Sequence, residues 1–125
     1  MDFAEQCRDM VDRQLKARGI SDPRVLKAML EIPREEFVPP EARAFSYYDE
    51  PVSIGGGQTI SQPYMTALMS QCLELTGSET VLDVGGGSGY HAAVLGALAA
   101  RVYSIELIPE LAEQARRNLE RIARL

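Results

Sequence analysis

The sequence predicts an α/β fold, a helical lead-in joined to the opening half of a parallel sheet, and three observations support it. Two short apolar runs of strand character, Thr80 to Val84 (TVLDV) and Val102 to Ile105 (VYSI), flank an Ala- and Leu-rich helical segment from Gly89 to Ala99. An amphipathic helical segment follows, from Pro109 to Arg124. A glycine-rich turn, Gly85-Gly86-Gly87-Ser88-Gly89, joins the first run to the helix. Strand, helix and strand in that order make a right-handed parallel crossover, the start of an open α/β sheet.

The elements before the sheet are helical. Phe3, Cys7, Met10, Val11 and Leu15 recur at helical spacing in Phe3 to Arg18, and Gly19 stops the run. Ser21 and Asp22 offer caps, and Pro23 a first-turn position, for a second helix with Val25, Leu26, Met29 and Leu30 on one face. Pro33 ends it. An irregular stretch rich in Pro and aromatics follows, and Tyr47 and Tyr48 within it are expected to pack the lead-in against the sheet. Val52-Ser53-Ile54 reads as a short strand running into Gly55-Gly56-Gly57. A third helix is expected from about Pro63 to Leu75, with Met65, Leu68, Met69, Cys72 and Leu73 inward and Gly77 after its end. In the last helix Leu111, Ala115, Leu119 and Ile122 share a face, with Glu113/Arg117 and Glu120/Arg124 as i,i+4 pairs on the other. Residues 1–76 are thus read as a lead-in and residues 77–125 as the first part of the sheet domain.

Composition narrows the function classes. The chain has 125 residues, enough for one ordinary domain, and is 46% hydrophobic and 25% charged, as globular proteins are. Its net charge of -5 argues against nucleic acid as the main partner. Cys7 and Cys72 lack the spacing of a disulfide framework or a zinc site, so no metal is expected, and both read as small core hydrophobes. The acidic start is unlike a signal peptide, and glycines and His91 interrupt the longest uncharged stretch, Val84 to Ala100. No membrane attachment is expected, and a reduced cytoplasmic location is.

The chemistry concentrates at VLDVGGGSGY, Val81 to Tyr90. Glycines let the backbone turn sharply and a ligand approach, and the helix beginning near Gly89 presents free N–H groups. A tight turn without a ligand is the alternative. A dinucleotide loop of the G-x-G-x-x-G type would need glycine at Tyr90. Here the glycines fall at Gly85, Gly87 and Gly89, a G-x-G-x-G spacing that resembles the first motif of Rossmann-like methyltransferases. Glu106 follows the second strand, where a carboxylate can accept hydrogen bonds from both hydroxyls of a ribose; an ordinary solvated glutamate is the other reading. Asp83, inside the first strand, must find donors or water, and the ammonium group of S-adenosylmethionine would serve.

Upstream, GQTISQPYM (Gly57 to Met65) closely resembles the signature of the protein-L-isoaspartate O-methyltransferase family. The lead-in RQLKARGISDPRVLKAMLEIPREEFVP, the segment VLDVGGGSGYHAAVL and the segment VYSIELIPELAEQARRNL resemble that family in order and spacing, so the resemblance covers nearly the whole chain. It implies a Rossmann-like class I methyltransferase fold and S-adenosylmethionine as cofactor. It also implies methyl transfer to the α-carboxylate of L-isoaspartyl residues in damaged proteins. Ser61 matches the family's active-site serine, which positions the substrate carboxylate, with Gln58 and Thr59 shaping the loop. Asp83, Gly85, Gly87, Ser88, Gly89, Glu106 and Leu107 match cofactor-binding positions. Without the resemblance, Ser61 reads first as a cap of the helix that starts near Pro63. His91 reads as a surface or cap-region side chain rather than a catalyst.

There are departures. Gly56 stands where many members carry a larger residue, often histidine, and Gly86 where threonine is frequent, the latter expected to be a mild change. The family continues with a third strand and further substrate-facing segments. The chain stops at Leu125 inside a helical pattern, which reads as a truncated domain. Two other readings stay open: an inactive, partner-dependent module that associates through its exposed sheet edge, and a nicotinamide-dependent oxidoreductase, which Tyr90 argues against.

Overall fold

The computed structural model describes residues 1–124. Helix α1 spans Phe3–Met10 and opens on a reciprocal cap: the Glu5 amide donates to the Asp2 carboxylate at 2.8 Å, and the Asp2 amide to the Glu5 carboxylate at 3.0 Å. The run then continues as a π turn, Val11–Leu15, and a 3-10 turn, Lys16–Arg18, before Gly19 closes it in the left-handed region at φ 91°. The single helix expected to Arg18 therefore changes pitch at Val11. A π turn takes more residues per turn, which keeps Leu15 buried alongside Met10 and Val11.

Helix α2, Pro23–Glu31, is capped by the Asp22 carboxylate, which accepts from the Arg24 amide at 2.9 Å. It buries Val25, Ala28 and Met29, while Leu30 faces outward, contrary to the face expected. Two 3-10 turns, Arg34–Phe37 and Pro40–Phe45, lead to strand β1, Val52–Gly55, which pairs antiparallel with β2, Gln58–Ile60. The resemblance implies a loop at Gln58 to Ser61. Gly56 and Gly57, at φ 59° and 71°, instead make the two-residue turn of a hairpin.

Helix α3, Pro63–Cys72, corrects a second expectation. Its buried residues are Pro63, Thr66, Ala67 and Ser70, whereas Met65, Met69, Cys72 and Leu73 are exposed. Small residues allow α3 to approach its neighbours closely on that side, and the bulky apolar side is left bare. Cys7 is buried, as expected of a small hydrophobe; Cys72 is not. Tyr47 is buried against Phe3, while Tyr48 is half exposed.

Strands β3, Thr80–Val84, and β4, Arg101–Ile105, pair in parallel around helix α4, Tyr90–Gly96, and helix α5, Pro109–Ile122, follows. The parallel crossover and its order agree with the sequence reading. On α5 Arg117 pairs with Glu113 as expected, but Glu120 pairs with Arg116 rather than Arg124. One hydrophobic core joins the lead-in to the crossover: Met10, Leu15, Val25, Met29 and Phe37 cluster with Tyr90, Val94 and Leu98. On the sheet, Leu82, Val84, Tyr103 and Ile105 share one face by the alternation of strand side chains and are exposed.

Candidate functional site

The glycine loop is fixed by the end of β4. The amides of Gly85 and Gly86 both donate to the Ile105 carbonyl at 2.9 Å. The chain can double back in this way because Gly85 and Gly87 hold φ of 78° and 56°, a region that side-chain-bearing residues avoid. Gly89 sits at the N-terminus of α4, and a Cβ there would lie 3.3 Å from Ala115 and Leu119 of α5, so glycine also lets the two helices approach.

Glu106 closes the loop from the other side. Its Oε2 accepts from the Ile108 amide at 2.9 Å and its Oε1 from the Gly87 amide at 2.8 Å. These two bonds, Ile108 first, hold its carboxyl below the usual range. Leu107, next to it, is 93% exposed.

Asp83 Oδ2 accepts from the Ser104 hydroxyl across the β3–β4 ladder at 3.0 Å, and Asp83 Oδ1 accepts no hydrogen bond among the described residues. Beneath this pair lies Gly86, where a Cβ would fall 2.2 Å from Ser104 Oγ. A threonine there would require the Ser104 hydroxyl to rotate away and give up its bond to Asp83.

Ser61 is exposed and follows β2 directly. It lines a cavity of about 600 Å³ together with Thr59, Asp83, Gly85, Gly87 and Ser88. Gln58 and Gly89 do not line it, and Glu106 borders a separate hollow with Gly86 and Ser104. The N-cap of α3 is Gln62, with no side-chain capping bond, so the alternative role of Ser61 as a cap is not realised.

Two residues near the cavity have a larger part than the sequence suggested. His91 is half-buried on α4, and its Nε2 lies 3.0 Å from Ser70 Oγ on α3. Ser70 already donates to the Thr66 carbonyl at 2.8 Å, so Nε2 carries the proton and donates to Ser70. Burial pushes the imidazole pKa down, opposed by the nearby Asp83 carboxylate. Arg34 is fully buried. Its Nε donates to the Ser46 carbonyl at 2.5 Å, its Nη2 to the Ser61 carbonyl at 2.7 Å, and its guanidinium carbon lies 4.9 Å from the centre of the Tyr90 ring. Burial lowers its pKa. In PREEF an arginine reads as solvated charge, and no local signal marks it as buried.

Among the described residues no three metal-ligating side chains cluster, and no helix is long and apolar enough to cross a membrane. Residues 5–124 match the family model described as protein-L-isoaspartate(D-aspartate) O-methyltransferase. The chain is 61% identical over 120 residues to protein-L-isoaspartate O-methyltransferase 2 of Marinobacter nauticus, covering 96% of this chain and 55% of that protein. It is 50% identical to the Geobacter metallireducens protein-L-isoaspartate O-methyltransferase, over the whole of this chain and 58% of that one. A solved Plasmodium falciparum chain, assigned as a protein-L-isoaspartate O-methyltransferase and in complex with S-adenosyl-L-homocysteine, superposes with a TM-score of 0.76 at 30% identity. That match covers 92% of this chain and 55% of that one. A further protein-L-isoaspartate O-methyltransferase structure gives 0.79 at 36% identity, over 93% of this chain and 39% of that one. The chain thus spans about half the length of the curated relatives it matches. By this match, the parallel crossover and the glycine loop, the chain belongs to the protein-L-isoaspartate(D-aspartate) O-methyltransferase family.

Proposed function

We propose that this chain carries the S-adenosylmethionine-binding loop and the substrate-positioning serine of a protein-L-isoaspartate O-methyltransferase. Residues 77–125 would supply the first part of the cofactor site and residues 1–76 the lead-in that presents Ser61. The observation that supports this reading is the shared cavity, in which Ser61 and Thr59 from the hairpin meet Asp83 and the glycine loop.

The residues present fit such a cofactor. A cavity of about 600 Å³ is of the size that takes a ligand of this kind. Gly85 and Gly87 leave the backbone bare, and Asp83 Oδ1 has an open acceptor for an ammonium group. When bound, S-adenosylmethionine supplies a methyl group activated by a positively charged sulfur. Asp83, Gly85, Gly87 and Ser88 would hold its amino-acid end, with Gly89, whose amide bonds the Gly86 carbonyl, shaping the loop behind them. Glu106, with lone pairs left on both oxygens, accepts from the ribose hydroxyls, with Leu107 beside it. Ser61 donates to the substrate carboxylate and aligns it, while Gln58 and Thr59 shape the loop. An isoaspartyl α-carboxylate, with a pKa of about 4, is already ionised at neutral pH, so the protein need supply no general base. Its contribution is alignment and exclusion of water. The substrates would be proteins and peptides containing L-isoaspartyl residues, in a reduced compartment such as the cytoplasm.

The test is transfer of labelled methyl from S-adenosylmethionine to an L-isoaspartyl peptide, with the normal aspartyl peptide and Ser61→Ala as controls. Base-labile label on the isoaspartyl peptide, absent from the aspartyl one and much reduced in Ser61→Ala, is expected. No label from a folded sample would overturn the activity for this chain. Binding of NAD in place of S-adenosylhomocysteine would overturn the cofactor.

A second reading has its own observation. The bare apolar face of Leu82, Val84, Tyr103 and Ile105 suits a module that is stable only with a partner, including another copy of itself. Sedimentation equilibrium tests it: a dimer without methyl transfer supports this reading, and a monomer with methyl transfer sinks it.

A further inference from the structure

Arg34 is costly where it sits. A guanidinium removed from water loses its hydration, and no carboxylate pairs with it among the described salt bridges. Its Nη1 is buried with no hydrogen-bond partner at all. A hydrophobic side chain of similar volume would fill the space at lower cost. What an apolar residue could not provide is the set of three directed contacts that Arg34 makes. Nε and Nη2 hold the Ser46 and Ser61 carbonyls, and the guanidinium carbon lies over the Tyr90 ring. Ser46 belongs to the lead-in, Ser61 ends the hairpin, and Tyr90 is the first residue of the helix that follows the glycine loop. One rigid fork thereby sets the spacing between the Ser61 turn and the start of α4.

The hairpin's own contact with the glycine loop is apolar, through Ile54, whose Cδ1 lies 3.3 Å from where a Cβ on Gly87 would sit. The Ser61 side chain makes no hydrogen bond among the described residues, and the turn joins α3 through the Gln62 carbonyl, which accepts from the Met65 and Thr66 amides, with no side-chain cap. The turn's other long-range polar tie is the Gln62 side chain, which donates to Asp49 at 3.2 Å in an exposed setting. Buried Ile60 and Pro63 anchor the chain on either side of Ser61, and the bond from Arg34 to the Ser61 carbonyl is the directed polar contact made at Ser61 itself.

We propose that Arg34 is a positioning residue that sets the Ser61 turn against the glycine loop by gripping the Ser61 main chain while its cation lies over the Tyr90 ring. The inference rests on the reading of Ser61 as the group that aligns the substrate carboxylate. Arg34 does not line the cavity, so its removal should leave cofactor binding alone and lower the rate of transfer.

The experiment compares the wild type with Arg34→Lys, which keeps charge and stem but cannot hold both carbonyls, and with Arg34→Met, which keeps only the stem. Both are checked for native folding by near-ultraviolet circular dichroism. Hydrogen exchange is then read along the chain. Arg34→Lys should speed exchange of the Gln58 to Gln62 amides roughly tenfold and leave Val81 to Val84 unchanged. In methyl transfer its kcat should fall about 10- to 100-fold, the scale of a misplacement near 1 Å, with KM for S-adenosylmethionine within twofold. Uniform acceleration of exchange, or none at the Ser61 turn, would overturn the proposal, as would a rise in KM with kcat unchanged. If Arg34→Met does not fold, Arg34→Lys alone decides. A wild type that transfers no methyl group would refute the activity proposed above, and the exchange pattern would still decide the role of Arg34.

Discussion

Glu106 Oε1 accepts the Gly87 amide at 2.8 Å, so the carboxylate at the end of β4 is also the latch of the loop at the end of β3. The residue expected to read a ribose thus has a prior task, which is to hold the loop in shape. Glu106→Ala should lower stability by about 1–3 kcal/mol, through two lost charge-assisted bonds in a partly exposed setting, as measured by urea unfolding. The Gly87 and Ile108 amides should lose protection together. Because the folded pKa is depressed, this contribution is complete above the ordinary carboxyl range and disappears as pH falls through the folded value. Glu106→Gln should therefore flatten the acid limb of stability below about pH 4.3. An unchanged acid limb would show that the latch is not formed.

Gly86 and Ser104 should behave as a coupled pair. Alanine at Gly86 places a Cβ 2.2 Å from Ser104 Oγ, and the hydroxyl can escape only by giving up its bond to Asp83. Gly86→Ala alone is expected to cost about 1–3 kcal/mol, typical of overpacking. Ser104→Ala alone should cost about 1 kcal/mol or less. Combined, they should recover most of the Gly86→Ala loss, because the Ser104 Cβ lies 3.6 Å away, an ordinary contact. Additive losses in the double mutant would contradict this geometry.

His91 gives a separate prediction at milder pH. Its imidazole is neutral and donates to Ser70, and burial depresses its pKa. The unfolded chain therefore takes up a proton first as pH falls below about 6.5, and stability is lost from there down to the lower folded value. His91→Gln, which can still donate to Ser70, should remove this component of the stability difference between pH 7.5 and 5. A difference as large as that of the wild type would show that another group is responsible.

The exposed sheet face should be adhesive. Val84 and Ile105 are register partners, 71% and 53% exposed, and together with Leu82 and Tyr103 they make one apolar surface. Val84→Lys combined with Ile105→Lys should reduce binding of an apolar dye such as ANS several-fold and shift any concentration-dependent oligomer to monomer. Dye binding at the wild-type level would place the adhesive surface elsewhere, for example on Met65, Met69 and Leu73 of α3.

What neighbouring residues determine could be read directly. Strand periods in TVLDV and VYSI, the helical period of Pro109 to Ile122, the Asp22 cap and the glycine turn all follow from backbone sterics and side-chain spacing within a few residues. The hairpin of β1 and β2 was legible too, since two short runs around Gly56-Gly57 are a turn signal, but the loop reading of GQTIS obscured it. Other features depended on residues far apart in the chain. The apolar side of α3 gave no sign that Thr66, Ala67 and Ser70 would be the side taken, because close approach between helices is set by the partner surfaces. The contact that fixes Gly86 is 18 residues away at Ser104, and the Ser61 carbonyl is held from Arg34, 27 residues upstream. The sequence by itself determined which segments are helix, strand and turn, and which residue types surround the glycine loop. Only the tertiary structure decided that a buried arginine grips the Ser61 turn and that Glu106 latches the loop, because such bonds exist only once packing has excluded water and brought distant backbone groups together.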